Sequence, residues 1–259
     1  MALFVDGPAA TIENLADQDA GLLAVAQTTG IDVSVKLRLA QEEVRADLEL
    51  WLIKPRLAID MFQTEMLWRP LLRIEQVVAT PPLKRWETMH ALELTYRDAY
   101  FSQLVDRYQA KWQQYQTLTF AARECFIASG LGLVTDPLHQ PEPPALASVE
   151  GPQNGGTFYA SVSWVNAAGQ EGAASEASSI TIADGNLMTV SAVNAPENAA
   201  GFRVYAGPIL DSMFRQNDVL LPIGVTYTYV PGQITQGTLP GKGQKPDFTR
   251  ALTRLLSRG

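Results

Sequence analysis

The sequence has few of the residues that usually carry out catalysis. Its 259 residues include one cysteine, Cys125, and two histidines, His90 and His139. A single cysteine excludes an internal disulfide bond, and the sequence contains no P-loop, dinucleotide-binding fingerprint or zinc-ligand spacing. Cys125 has apolar neighbours and is predicted to be buried in a core, while the histidines lie in different kinds of segment. We therefore predict a protein that is not an enzyme and uses no cofactor or metal.

The chain also lacks the long apolar runs of membrane proteins. No stretch of about 18 apolar residues is present, and the start MALFVDGPAA lacks the basic region and apolar run of a secretory signal. Positive charge is scarce too: the net charge is −7, and residues 146–241 contain only Arg203 and Arg215 as basic residues. General nucleic-acid binding needs a basic face, which an acidic body does not offer. We expect a protein made in the cytoplasm, without a membrane partner.

The most prominent feature that is present is a helical block from Thr80 to Gly130. Thr80, Pro81 and Pro82 form a helix-start signal in which threonine is the cap, and no further proline or glycine occurs before Gly130. An unbroken helix of this length would be roughly 70 Å long, so we predict two helices with a break near residues 101–106. The block is rich in aromatic residues: Trp86, Tyr96, Tyr100, Phe101, Tyr108, Trp112, Tyr115, Phe120 and Phe126.

Further helices are predicted before this block. Residues 11–26 form a short helix that Gly21 interrupts, and residues 34–53 have the apolar spacing of a helix with one buried face. Lys54-Pro55 is expected to end that second helix. Residues 56–79 then form a long connection, which either protrudes towards a neighbouring molecule or packs on its own domain.

The composition changes after Gly130. Four prolines between Pro137 and Pro144 predict an extended linker, and we place a domain boundary near Ala145. The residues beyond alternate with a period of two, which is typical of strands. Short strands separated by turns predict an antiparallel sandwich, with strands at 158–165, 179–183, 187–193, 201–206, 219–225 and 226–230.

Two resemblances connect these segments to known families. The run FYASVSWVNAAGQEGAASEASSITI, followed by LMTVSAV and AGFRVYAG, resembles immunoglobulin-like or fibronectin-type-III-like modules that are appended to phage structural proteins. The segments VKLRLAQEEV and TPPLKRW, with YRDAYFSQLVDRYQAKW, are similar to head–tail connector (adaptor) proteins of tailed phages. Together the resemblances cover residues 20–230. They imply a multidomain α and β fold in which a helical bundle of connector type precedes an all-β immunoglobulin-like sandwich and a C-terminal tail helix.

The resemblance also implies a domain plan and a function. Residues 1–144 would be the helical connector domain, residues 145–240 the sandwich, and residues 241–259 a basic tail. The chain would be a structural virion protein of the phage neck, forming a dodecameric ring between the portal protein and the tail completion or terminator protein. The sandwich would serve as a collar or decoration.

The aromatic residues of the helical domain have two interpretations. Packing within the domain is the simpler one, but one helix pair cannot bury nine aromatic side chains. The connector resemblance therefore implies that some of them face a neighbouring copy in the ring. Our candidates for this contact are Trp68, Trp86, Tyr100, Tyr108 and Trp112.

The tail is the one basic part of the chain, with five Lys/Arg and one acid after residue 241. Residues 249–258 have the pattern of a short amphipathic helix, which is too short to be stable alone. It is either a frayed, solvated end or, as the resemblance implies, a segment that docks on the portal; contact with DNA in the channel is a weaker possibility. Deleting residues 247–259 should then abolish joining to the portal and leave the fold intact. The proposed docking residues are Phe248, Arg250, Leu252, Arg254, Leu255, Leu256 and Arg258.

Two other functions remain open at this point. The chain could be an adhesive or carbohydrate-binding module on a helical stalk, or a tail-terminator or baseplate component. The oligomeric state distinguishes these functions. A closed ring of about twelve copies would support the connector, and a monomer or trimer with glycan affinity would support the adhesive module. A six-fold or three-fold assembly would support the tail-terminator or baseplate component.

Overall fold

The computed structural model describes residues 1–60, 72–230 and 237–252, with the backbone alone for residues 53–60. The chain divides into two compact units. The helical unit is Phe4–Val134 with Pro246–Gly259, and the sandwich unit is Met1–Leu3 with Thr135–Lys245. The proline-rich residues 135–144 therefore belong to the sandwich unit, although the sequence-based plan assigned them to the helical domain.

Helices come first in the chain and most strands follow, so the predicted order of α then β is confirmed at this level. The helices are α1 (Ile12–Gln18), α2 (Leu22–Thr29), α3 (Val33–Asp60), α4 (Pro81–Gln103) and α5 (Asp106–Ser129). The strands are β1 (Leu131–Leu133), β2 (Ala145–Glu150), β3 (Gly156–Asn166), β4 (Ser178–Ile182), β5 (Asn186–Ser191), β6 (Ala199–Gly207), β7 (Phe214–Arg215), β8 (Thr226–Thr228) and β9 (Phe248–Arg250). Short 3-10 helices occupy Phe4–Asp6, Ile74–Gln76 and Leu210–Ser212.

The helical block has the predicted break. α4 ends at Gln103, where Leu104 adopts the left-handed conformation, and α5 begins at Asp106. Gly130 ends α5 with a φ of 82°, and Gly21 separates α1 from α2, both as predicted. These breaks were predictable because glycine and helix length act locally.

Two local predictions are wrong. α3 continues through Pro55 to Asp60, because a proline inside a helix removes one backbone hydrogen bond and need not end it. Thr80 does occupy the cap position of α4, but its side chain makes no capping hydrogen bond. Pro82 removes one of the two amides, those of the second and third helical residues, from which a capping side chain normally accepts.

The tail begins with a strand. β9 pairs antiparallel with β1, with Gly132 opposite Thr249, so the predicted helix does not start at Thr249. β1 is fully buried in the helical unit and provides a paired backbone edge that a local helical pattern cannot anticipate. Phe248 is exposed, and Leu252 packs against the core of this unit. The docking candidates Arg254, Leu255, Leu256 and Arg258 lie outside the described residues.

The sandwich unit contains two antiparallel sheets. One has the strand order β4-β3-β6-β7 and the other β2-β5-β8. Side chains of both sheets form one hydrophobic cluster, in which Trp164 meets Phe202 edge-on with ring centroids 6.1 Å apart. Most predicted strands are confirmed, but residues 219–225 form only an isolated bridge from Leu221 to Phe202. The sequence analysis did not anticipate β2 and β7.

Candidate interaction surface

Aromatic side chains fill the centre of the helical unit. Trp51 of α3, Trp86 of α4 and Phe126 of α5 form one cluster with ring centroids 5.5 to 6.0 Å apart. The guanidinium of Arg123 lies 5.1 Å from the Trp51 ring and 5.8 Å from the Trp86 ring, a cation–π arrangement. Three helices are thus joined by aromatic packing.

A second aromatic group surrounds a buried carboxylate. Asp19 Oδ2 accepts hydrogen bonds from the hydroxyl groups of Tyr96 at 2.8 Å and Tyr115 at 2.9 Å, and from the ammonium of Lys111 at 2.7 Å. Burial opposes ionisation of Asp19, but the hydrogen bonds from Lys111, Tyr96, Tyr115 and the Gly21 amide outweigh it and hold its pKa below the ordinary value. This carboxylate therefore links the α1–α2 turn to α4 and α5 through charge-assisted hydrogen bonds.

Burial separates the five aromatic candidates for a contact between copies. Trp86 is only 4% exposed and Tyr108 only 3%. Both pack inside the helical unit, Trp86 against Trp51 and Phe126 and Tyr108 against Tyr96, so they are not available to a neighbour. Tyr100 and Trp112 are partly buried against the same core. Trp68 lies outside the described residues.

The exposed apolar side chains of the α4–α5 hairpin are different residues. Phe101 is 61% exposed, Leu104 70% and Phe120 64%. Phe101 lies against the rings of Tyr100 and Trp112, with centroids 5.3 and 5.6 Å away. The sequence analysis counted both phenylalanines among the aromatic residues but selected neither of them. Their position in the helical period relative to buried neighbours was the available signal.

Leu104 combines exposure with an unfavourable backbone. Its φ is 52° and its ψ is 40°, the left-handed region, which costs a residue with a Cβ roughly 1–2 kcal/mol. Glycine or asparagine is the usual residue at such a helix end. The hairpin therefore presents a large apolar side chain at a position where the fold alone favours a small or polar one.

An open cleft lies at the other end of α4. Its volume is about 510 Å³, and it lies between α1 and the first turns of α4. Within the described chain, neither Lys84 nor Arg85 forms an ion pair with an acidic side chain. Met89 and Pro81 add apolar surface, and Asp17 adds an acid. The lining residues are Asn14, Asp17, Gln18, Pro81, Lys84, Arg85, Thr88 and Met89.

Glu87 is the most deeply buried acid of α4. It is 0% exposed; Oε1 accepts a hydrogen bond from the Ala10 amide at 3.1 Å, and Oε2 has no hydrogen-bond partner within the described chain. Burial raises the pKa of Glu87 to about 7, against the opposing effects of the Ala10 and Ala9 amides and of Lys84. Glu87 thus holds the N-terminal segment of the helical unit to α4.

His90 joins α3 to α4. Its Nε2 lies 2.6 Å from an oxygen of Glu43, and its Nδ1 lies 3.3 Å from an oxygen of Glu93. Burial by itself would lower the pKa of His90. The hydrogen bonds to Glu93 and Glu43, and the negative charges of these two residues, have the larger effect, so the pKa of His90 lies above its ordinary value. Glu43 is itself an exposed surface acid, and it pairs with His90 across two helices.

The expectation that Cys125 would be buried in a core is wrong. Cys125 is exposed, because its position on α5 turns it away from the buried neighbours Phe126 and Ile127. Glu171 takes part in a polar network of the sandwich unit. It accepts hydrogen bonds from Ser163 at 2.6 Å and from Tyr205, on the sheet face opposite the hydrophobic core.

Within the described ranges, no group of three or more His, Cys, Asp and Glu side chains is arranged to hold a metal ion. No helix in the described part of the chain is long and apolar enough to cross a membrane. The polar clusters at Asp19, Glu87, His90 and Glu171 all connect elements within one unit. By contrast, the apolar hairpin end and the cleft at the opposite end of α4 face outward from the helical unit.

Comparisons with protein-family models, with curated proteins and with solved structures gave no match for this chain.

Proposed function

We propose that this chain is a structural subunit of a tailed-phage neck, a head–tail connector that forms a ring between the portal and the tail completion or terminator protein. The helical unit would build the ring wall, and the sandwich would be its collar or decoration. The protein would act through its surfaces and would not be an enzyme.

The exposed apolar end of the α4–α5 hairpin carries this proposal. The hairpin has a well-packed interior, and yet Phe101 and Leu104 at this end are each more than 60% exposed. Apolar side chains grouped on one element are typical of protein–protein contacts. In a ring, contact with a neighbouring copy would cover these side chains.

The second unit supports the same assignment by its architecture. Its seven strands form antiparallel sheets of four and three around a common core, and seven-stranded sandwiches of this kind are common as immunoglobulin-like modules. Such modules decorate many assemblies, so the order of helical unit and sandwich is the more specific part of the resemblance.

The test is the oligomeric state of the purified full chain. Sedimentation velocity and native mass spectrometry should show a closed ring, dodecameric by the connector resemblance, or a monomer that assembles on portal rings. A stable monomer or trimer that binds glycans, and does not bind portal rings, would contradict the connector and support an adhesive module. A six-fold or three-fold ring would instead support a tail-terminator or baseplate component.

A further inference from the structure

The conformation of Leu104 is the starting point. This residue caps the C-terminus of α4 in the left-handed region, and its amide donates to the Tyr100 carbonyl. Glycine would make the same backbone bond without the strain. Because the leucine side chain is 70% exposed, it gives the isolated helical unit little packing in return. Its side chain is therefore best explained by a contact outside the subunit.

Phe101 and Leu104 together form what we call the knob. Phe101 is held from behind by Tyr100 and Trp112, whose rings are stacked 6.0 Å apart. A preorganised aromatic side chain loses little conformational freedom on binding. Two exposed charges adjoin the knob, Asp106 and Arg107, at the start of α5. The knob is thus an apolar projection with one acid and one base beside it.

The cleft at the start of α4 has the complementary chemistry. Pro81 offers exposed apolar surface, Met89 only the 5% of it that is exposed, and Lys84 and Arg85 offer positive charge. Asp17 lies on the α1 side of the cleft. A volume of about 510 Å³ is within the range of clefts that receive ligand groups of this size.

The knob and the cleft cannot meet within one helical unit. About 20 residues of α4 separate Lys84 from Leu104, which at helical rise is roughly 30 Å. A contact between them must join two copies. Such a contact uses different surfaces on the two partners, and repetition of it gives a ring when the rotation closes.

We propose that the knob of one copy docks into the cleft of the next, with Phe101 and Leu104 against Pro81 and the small exposed part of Met89. Asp106 then faces Lys84 and Arg85, and Arg107 faces Asp17. This inference rests on the proposed ring and identifies its joint. The occupant is a second copy of this chain, because the charges of knob and cleft are complementary and lie at opposite ends of one helix.

The first test is Leu104→Gly in the full chain. Removing the side chain should weaken association of the copies by about tenfold or more, while the melting temperature of the dissociated subunit stays the same or rises because the strain is relieved. Val219→Ser is the matched control, since Val219 is 81% exposed on the sandwich unit and its change should leave association unaltered. Sedimentation over a dilution series measures both.

The second test exchanges the charges of Arg85 in the cleft and Asp106 beside the knob. It leaves Lys84 unchanged, because the charge of Lys84 acts on Glu87. Arg85→Glu and Asp106→Arg should each weaken association, and the double variant should recover most of the loss, because the pair is restored between copies. Additive losses in the double variant would refute the pairing. If the wild type is monomeric even on portal rings, the proposed function fails; if it forms rings that Leu104→Gly leaves equally stable, only this joint fails.

Discussion

The hydroxyl of Tyr96 on α4 donates a hydrogen bond to Oδ2 of Asp19, 2.8 Å away, at the residue that ends α1. The same oxygen accepts the hydroxyl of Tyr115 on α5, and the two tyrosine rings stack with centroids 5.4 Å apart. One carboxylate of a residue that is 8% exposed therefore fixes the α1–α2 turn against two long helices. This links α4 and α5 to each other and to the α1–α2 turn without using the exposed residues Phe101 and Leu104.

Tyr96→Phe tests the contribution of the hydrogen bond from Tyr96 to Asp19. The variant keeps the ring and its stacking but removes one hydrogen bond to a buried charge, which contributes about 1.5–3 kcal/mol. We expect the free energy of unfolding to fall by that amount in urea denaturation. Tyr159→Phe is the control, since its hydroxyl has no hydrogen-bond partner in the described chain. Equal losses in both variants would show that the Asp19 network contributes nothing specific.

Glu87 predicts a pH dependence of stability. Its pKa in the folded protein, about 7, lies above the ordinary value of 4.5, so the folded state favours the protonated form. The contribution of protonated Glu87 to the free energy of unfolding is fully present below pH 4.5 and is lost as the pH rises through 7. His90 adds a loss in the same direction, because its pKa is also raised.

Glu87→Gln separates the effect of Glu87 on the pH dependence of stability from that of His90. The variant should be more stable than the wild type at about pH 8, by roughly 3 kcal/mol, with a smaller difference at about pH 5. Urea denaturation at both pH values measures this. Glu42→Gln, an exposed acid on α3, is the control. A variant that is less stable than the wild type at the higher pH would mean that Glu87 is ionised without penalty.

Gly201 of β6 predicts a packing limit in the sandwich unit. A Cβ built on Gly201 would lie 2.4 Å from the carbonyl oxygen of Leu221, so the bridge between Phe202 and Leu221 would have to separate. Gly201→Ala should destabilise the unit by about 1–3 kcal/mol in thermal unfolding. Gly156→Ala, whose nearest contact would be 3.6 Å, should be tolerated. Unfolding curves that coincide for the two variants would contradict this.

The strand at the start of the tail changes where a truncation should be made. Removing residues 247–259 deletes β9 from β1 and should destabilise the helical unit, because Gly132 and its neighbours lose their paired strand. Ending the chain after Leu252 keeps that pairing. If residues 253–259 dock on the portal, this shorter deletion should abolish co-sedimentation with portal rings and leave the melting temperature unchanged. Retained co-sedimentation would exclude the tail as the docking segment.

The predictions that succeeded depended on local signals. Gly130 ends α5 because glycine adopts a positive φ, here 82°, that other residues avoid, and Gly21 lies between α1 and α2 in an ordinary helical conformation. The alternation Phe158, Ala160, Val162 specifies which face of a strand is buried. Those signals act within a few residues, and for that reason the helix order and most strands were predictable. β9 was missed because its partner, β1, lies more than 100 residues earlier in the sequence.

By itself, the sequence determined the order of helical and β units, the break in the helical block and the aromatic character of the α4–α5 hairpin, since these follow from periodicity, chain length and composition. Only the tertiary structure decided which aromatic residues are internal. Trp86 is covered where α3, α4 and α5 meet, and Tyr108 packs against Tyr96 of α4. Phe101 touches Tyr100 and Trp112 on one side but is still 61% exposed, and Phe120 is 64% exposed. Burial depends on neighbours distant in sequence, and the position of Leu104 at the exposed end of the hairpin was decided in the same way.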